Sequence, residues 1–127
     1  MPDRLPGHPP DKKARLGKSA EQQAVKYLEK QGYTIVCRNF RIRQAEIDII
    51  ARHEGWLVFV EVKARSSRLF GGPAEAVDIR KQDRIVKAAR GYMAFKKTEL
   101  PARFDVITIG PDGLEHIKDA FEALDNY

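Results

Sequence analysis

Residues 46–64, EIDIIARHEGWLVFVEVKA, decide the fold of this chain. Two runs rich in Val, Ile and aromatic residues, Glu46–Ala51 and Trp56–Ala64, lie on either side of a short polar stretch. This pattern predicts two antiparallel strands joined by a hairpin turn. Glu54 and Gly55 are the predicted turn residues, because glycine tolerates the left-handed backbone that tight hairpins require.

This turn predicts the cross-strand partners. Asp48 lies opposite Glu61, and Glu46 lies opposite Lys63. Side chains alternate between the two sides of a strand, so these four charged residues share one face. The other face carries apolar side chains, namely Ile47, Ile49, Val60 and Val62.

Two carboxylates directly across a strand pair repel each other and need a compensating cation. Lys63 supplies one positive charge, and a divalent metal would supply more, since carboxylate oxygens are the donors that Mg²⁺ prefers. The alternative is a solvated sheet face with an ion pair between Glu46 and Lys63. The residues alone leave both interpretations open.

The segments around the hairpin extend the pattern. They predict further helices over Ser19–Gln31 and Ile79–Lys97 and further strands over Tyr33–Arg41, Arg103–Ile109 and Leu114–Ile117. The Ser19/Gln22 spacing predicts a capping box at the start of the first helix, and the C-terminal residues are compatible with a last helical turn. The order α-β-β-β-α-β-β predicts an α/β fold with a mixed central β-sheet flanked by helices. Residues 1–16 form a predicted mobile, basic and Pro-rich tail before a single domain at 17–127.

Glu21 is aligned with the apolar stripe of the first helix, which contains Ala24, Val25 and Leu28. It therefore points along the face that packs on the sheet. An acidic residue in the first turn of a helix also complements the helix dipole, and the residues alone favour that interpretation. Asp105, between apolar neighbours in RFDVITI, is predicted to pair with a basic residue and hold its strand.

Composition limits the partners and the compartment. A net charge of +5 and a pI of about 9.4 favour an anionic partner. Cys37 is the only cysteine, which excludes an internal disulfide and a zinc site made of cysteines. No apolar run approaches the roughly 20 residues that cross a bilayer. We therefore expect a cytoplasmic protein that does not bind membranes.

An Asp on one strand followed by Glu-x-Lys on the next, here Asp48 and Glu61-Val62-Lys63, resembles the PD-(D/E)xK nuclease superfamily. The surrounding segments GKSAEQQAVKYLEKQGYTIVCRNFR, AEIDIIARHEGWLVFVEVKAR and RFDVITI are similar to the bacterial YraN-like family, which is grouped with Holliday-junction-resolvase-like endonucleases. The resemblance covers about residues 17–121. One departure is Ala45, where the family usually has Gly.

The resemblance implies a restriction-endonuclease-like core and a site in which Glu21 joins the hairpin residues Asp48, Glu61 and Lys63. Asp48 and Glu61 would hold Mg²⁺ or Mn²⁺ with the carbonyl of Val62, Glu21 would hold a metal-bound water or a second metal, and Lys63 would orient the attacking water. The implied reaction is phosphodiester hydrolysis, with DNA favoured over RNA and branched or single-stranded DNA as candidate substrates. Candidates for phosphate binding are Lys81, Arg65, Arg84 and Arg68.

Two other functions are compatible with this sequence. One is a nucleic-acid-binding module that keeps the fold without catalysis. The other is a protein-interaction subunit, such as a homodimer, whose charged residues lie in an interface. The basic face of the second long helix, which carries Arg80, Lys81, Arg84 and Lys87, favours either nucleic-acid function over an interaction subunit.

Overall fold

The described part of the chain forms two helices and five strands. A computed structural model describes residues 12–65 and 78–123. The elements are α1 (Lys12–Lys30), β1 (Thr34–Arg41), β2 (Glu46–His53), β3 (Trp56–Ala64), α2 (Ile79–Lys96), β4 (Ala102–Gly110) and β5 (Gly113–Phe121). This order, and the mixed α/β class, confirm the prediction from the sequence.

All five strands belong to one sheet with the order β1-β2-β3-β4-β5. Strands β3 and β4 are parallel, and every other neighbouring pair is antiparallel. A parallel pair needs a long crossover between its strands, and α2 lies in the segment that joins β3 to β4. The sheet is therefore mixed because one helix is inserted between two hairpins.

The β2–β3 hairpin has the predicted turn. Its pairing runs from His53↔Trp56 to Ile49↔Val60, which is the register that the sequence indicated. Glu54 and Gly55 have φ angles of 50° and 86°. Positive φ at both turn residues matches the right-handed twist of the two strands.

Two apolar layers cover the sheet, one on each face. In the α2 layer, Ile50 and Phe59 pack with α2 side chains that include Ile85, Val86, Ala89 and Tyr92. In the α1 layer, Ile49, Val58 and Val60 pack with Ala24, Val25 and Leu28 of α1. Full burial of each large apolar side chain contributes roughly 1.5–3 kcal/mol. Both faces are covered, so charged side chains between the layers lie next to a low-dielectric core.

Ile47 departs from the predicted alternation. It packs in the α2 layer, although the sequence placed it on the same face as Ile49. The β1–β2 pairing steps over Asp48, and Asn39, which would lie opposite it, has a φ of 56°. This irregularity reorients the neighbouring backbone, so that Phe40 and its partner Ile47 both face α2.

The ends of α1 and β5 also differ from the prediction. Helix α1 begins at Lys12, so residues 12–16, which were predicted as tail, are helical. Ser19 is not the N-cap, and its hydroxyl accepts a hydrogen bond from Gln23 at 3.3 Å. A helix propagates cheaply once a packed segment has nucleated it. Strand β5 continues past Ile117 to Phe121, and residues 124–127, where the chain was predicted to end in a helical turn, lie outside the described residues, as do residues 1–11.

Helix α2 matches its predicted bounds. Its N-cap is Asp78, whose side chain accepts a hydrogen bond from the backbone N–H of Lys81. Lys97 ends it in the left-handed conformation. Within the described residues, neither helix is long and apolar enough to cross a membrane.

Candidate metal and nucleic-acid site

The pairing between β2 and β3 ends where the acidic residues begin. Strands β2 and β3 form no pair beyond Ile49↔Val60, although β3 continues to pair with β4 as far as Ala64↔Ile109. The Asp48 side chain acts there in place of a backbone acceptor, because its Oδ2 accepts a hydrogen bond from Val62 N at 2.8 Å. The gap turns Asp48 toward Glu61.

The two carboxyl groups are strongly coupled. The pKa of Asp48 is raised to about 8, first by burial and then by the charge of Glu61 and a hydrogen bond with it. The Val62 N–H lowers this pKa without offsetting the increase, and Glu21 raises it further. Carboxylates that share a site in this way do not both ionise at neutral pH. A cation beside the carboxyl groups of Asp48 and Glu61 would therefore be stabilised.

The cation in contact with Glu61 is Lys81 from the first turn of α2. The side chain of Glu61 is only 5% exposed, whereas that of Lys81 is 42% exposed. Lys63, which the sequence assigned to this role, is exposed near the end of β3 and makes no ion pair with a described residue. By strand alternation it lies on the same side of β3 as Glu61.

Glu46 and Arg65 have partners other than those considered from the sequence. Glu46 pairs with Arg41 at 2.9 Å, its neighbour across the β1–β2 ladder, so the alternative ion pair with Lys63 is not formed. The Arg65 side chain is buried at the end of β3, and its Nη2 lies 3.8 Å from Glu115. It lines a different cavity, with Ser19 and Gln23, from the one next to Asp48.

Glu21 faces the sheet, as its helix position predicted, and its side chain is 15% exposed. Its Oε1 accepts hydrogen bonds from Arg38 Nε at 3.1 Å, from Arg38 Nη2 at 2.9 Å and from Asn39 Nδ2 at 3.1 Å. Glu21 is close enough to influence Asp48 electrostatically. Across the two described ranges, however, no three His, Cys, Asp or Glu side chains converge on one metal position.

A divalent ion still fits the pair. Mg²⁺ keeps several of its waters and is usually held by only one or two protein carboxylates. Asp48 and Glu61 provide two adjacent hard oxygen donors, and burial together with the charge of Glu61 raises the pKa of Asp48. The donor set therefore suits Mg²⁺ or Mn²⁺, with Glu21 outside direct contact and already bonded to Arg38 and Asn39.

A cavity of about 200 Å³ opens beside the two acids. Lys81 and the exposed Arg84 line it from α2, so an acidic centre is bordered by basic side chains. Ala45 also lines it and is not among the residues with positive φ, so alanine meets no backbone strain at this position. Arg68 lies outside the described residues.

Asn39 and Arg38 were not identified from the sequence. Asn39 lies where the β1–β2 pairing skips one pair, and its side chain donates a hydrogen bond to Glu21. Asparagine within an otherwise alternating strand was the available signal, since Asn is the residue besides Gly that most readily adopts positive φ. No sequence pattern indicated that Arg38 would reach α1.

Replacing Asn39 separates its backbone role from its side-chain role. Asn39→Gly removes the hydrogen bond to Glu21 and keeps the positive φ, whereas Asn39→Ala also strains the backbone. We expect Asn39→Ala to lower the free energy of unfolding by about 1 kcal/mol more than Asn39→Gly. Urea denaturation measures the difference, and equal losses in the two variants would contradict the backbone role.

A second polar cluster lies on the α1 side of the sheet. The buried Asp105 accepts hydrogen bonds from Arg103 at 2.9 Å and from the backbone N–H of Asp119 at 3.0 Å, and it lies 2.7 Å from His116 Nε2. The other His116 nitrogen is 3.0 Å from the Tyr27 hydroxyl. The predicted pairing of Asp105 with a basic residue is confirmed, and the cluster ties β4 and β5 to α1.

Comparison with known proteins identifies the family. The model of "Uncharacterised protein family UPF0102" matches residues 20–109. A UPF0102 protein of Bacteroides thetaiotaomicron is 51% identical over 110 residues, which cover 84% of this chain and 91% of the relative. A UPF0102 protein of Chlorobium chlorochromatii is 43% identical over 124 residues, which cover 90% and 96% of the two chains. The chain therefore belongs to UPF0102, the YraN-like family that its motifs indicated.

Proposed function

We propose that this protein is a metal-dependent nuclease that hydrolyses phosphodiester bonds in nucleic acid, with DNA as the expected substrate. The observation that carries the proposal is the pair Asp48 and Glu61, held side by side in a gap between strands and bordered by Lys81 and Arg84. An acidic pair suits a divalent cation, and a basic border suits the phosphates of a nucleic-acid backbone.

Asp48 and Glu61 would hold the Mg²⁺ or Mn²⁺ ion. When bound, such an ion supplies polarisation of a phosphoryl oxygen and a water of lowered pKa. Asp48 must release its proton to become a ligand, so its raised pKa makes metal binding tighter as the pH rises toward 8. The Val62 N–H keeps the Asp48 carboxyl oriented throughout.

Lys63 is the proposed partner of the reacting phosphate. It is exposed and lies on the Glu61 side of β3, so its ammonium group is free to meet a substrate that approaches from solvent. There it would orient the attacking water and stabilise the negative charge that grows on the phosphoryl group. Glu21, anchored by Arg38 and Asn39, would accept a hydrogen bond from a water near the acids.

A non-catalytic nucleic-acid-binding module is the second candidate function. The ion pair between Lys81 and Glu61 favours it, because a protein cation already neutralises part of the acidic site. The exposed basic face of α2 would serve this function equally well. The two candidates differ in one testable respect, which is whether bound nucleic acid is cut.

The test is incubation of the purified protein with linear, supercoiled and branched DNA, in Mn²⁺, in Mg²⁺ and in EDTA. The nuclease is expected to cut at least one of these substrates with either metal and none in EDTA. Glu61→Gln should abolish cutting because it removes a metal ligand, and this variant also reveals any contaminating nuclease.

The outcomes separate the candidates. Cutting that persists in Glu61→Gln would point to a contaminant and contradict the proposed site. Salt-dependent DNA binding without cutting under any condition would favour the binding module, since phosphate contacts weaken steeply with salt whether or not catalysis follows.

A further inference from the structure

Lys81 has an unusual position for a cation at the edge of a binding surface. Its ammonium group contacts Oε2 of Glu61, a carboxylate that is almost completely buried. The rest of the Lys81 side chain is nearly half exposed beside the cavity. The ammonium group thus lies at the boundary between the acidic pair and the solvent from which a nucleic acid would arrive.

The backbone of Lys81 is held in place more firmly than its side chain. Its N–H donates to the Asp78 carboxylate at 2.9 Å, which fixes the first turn of α2. A lysine side chain has four rotatable bonds and a compact charge, so its head can move several ångströms while the backbone stays fixed. Lys81 can therefore exchange one anionic partner for another without unfolding the helix.

A divalent ion bound to the Glu61 carboxylate would repel the Lys81 ammonium group that contacts the same carboxylate. Both are positive, and both would lie within a few ångströms of the same oxygen atoms. A metal held by Asp48 and Glu61 would repel the ammonium group toward solvent. In the other direction, an anion that attracts Lys81 would leave Glu61 free to bind the metal.

We infer that Lys81 couples metal binding to phosphate binding, by neutralising Glu61 in the metal-free protein and moving to a backbone phosphate when the metal binds. The inference rests on the proposed function for the identity of both ligands. Its consequence is positive cooperativity, because each ligand removes the obstacle to the other. Such coupling is reciprocal, so Mn²⁺ must tighten DNA binding by the factor by which DNA tightens Mn²⁺ binding.

The decisive variant is Lys81→Met, compared with Arg84→Met as the matched control. Arg84 lines the same cavity and carries the same charge, but the ion pair with Glu61 is made by Lys81. Mn²⁺ affinity is measured by calorimetry at pH 8, with and without a phosphorothioate DNA oligonucleotide, whose linkages keep their charge and resist hydrolysis. Circular dichroism confirms that each variant is folded, and Lys81→Gln replaces Lys81→Met if the latter does not fold.

In the unmodified protein, the oligonucleotide is expected to tighten Mn²⁺ binding by about tenfold. Lys81→Met should bind Mn²⁺ more tightly than the unmodified protein when DNA is absent, and added DNA should then give little further gain. Arg84→Met should bind DNA more weakly and yet retain the coupling.

Two results would overturn the inference. If DNA tightens Mn²⁺ binding equally in Lys81→Met and in the unmodified protein, Lys81 does not carry the coupling, although the proposed nuclease function stands. If none of the proteins binds Mn²⁺, the proposed function fails, and the inference fails with it.

Discussion

Asp48→Asn is expected to make the protein more stable at alkaline pH while slowing the proposed metal-dependent cleavage on the order of 10³-fold or more. The loss of cleavage follows from replacing a proposed metal ligand by a neutral amide. The gain in stability follows from removing a carboxylate charge that is buried and is repelled by Glu61. The asparagine oxygen can still accept the hydrogen bond from Val62 N, so the strand gap should remain intact.

The size of the stability effect depends on pH. The pKa of Asp48 is about 8 in the folded protein, against an ordinary value near 3.9. The folded state therefore binds the Asp48 proton more tightly than the unfolded state does. The contribution of this proton to the free energy of unfolding is fully present below about pH 4 and is lost as the pH rises through 8. We expect Asp48→Asn to exceed the unmodified protein by on the order of 2–4 kcal/mol at pH 9 and by little at pH 5.

Urea denaturation at pH 5, 7 and 9 measures this difference, and Glu29→Gln, an exposed acid on α1, is the matched control. The control should show no comparable change with pH. If Asp48→Asn were less stable than the unmodified protein at pH 9, the carboxyl pair would not be repulsive. Retention of full cleavage activity would remove Asp48 from the proposed site.

Asp105→Asn should cause the largest loss of stability among the substitutions considered. It leaves the mostly buried Arg103 without its carboxylate partner, and removing one member of a buried ion pair costs about 3–5 kcal/mol. For a chain of this size the melting temperature should fall by roughly 12–20 °C. Differential scanning calorimetry at pH 7 measures the loss, with Glu99→Gln as a surface control expected to change little.

Burial alone raises the pKa of Asp105, but hydrogen bonds from His116, Arg103 and the backbone of Asp119 outweigh it, and the net pKa is lowered. The contribution of Asp105 is therefore present above about pH 4 and is lost as the pH falls through its lower folded pKa. Adding Arg103→Met to Asp105→Asn should recover part of the stability, because no unpaired guanidinium remains. A double variant as unstable as the sum of its parts would show that the two residues act independently.

The hairpin was predictable because two independent patterns agree on it. Glu54 and Gly55 set the turn, and the apolar alternation around Ile49, Ile50, Phe59 and Val60 allows only one register. Continued one step past its last pair, Ile49↔Val60, that register brings Asp48 and Glu61 close together, although the two residues do not pair in the ladder. The central acidic pair thus follows from local sequence with no knowledge of the remaining fold.

The surroundings of the pair were harder to predict, since they depend on long-range packing. The sequence near Lys81 does not indicate where α2 packs on the sheet. The contact between Lys81 and Glu61 could therefore not be predicted, and Lys63 was proposed as the compensating cation instead. Ile47 was misplaced because alternation assumes a regular ladder, which Asn39 interrupts. The start of α1 was misplaced because the Ser19 pattern is common and helix propagation overrode it.

The parallel pairing of β3 with β4 has a consequence for the order of folding. The hairpin closes over a two-residue turn and can form within microseconds, whereas β3 and β4 must wait for the crossover that contains α2. Asp48 and Glu61 are thus brought together early, and Lys81 arrives late. During this interval the two acids would face each other without their counter-ion, so we expect acidic buffer, which protonates Asp48, to accelerate the early phase of refolding.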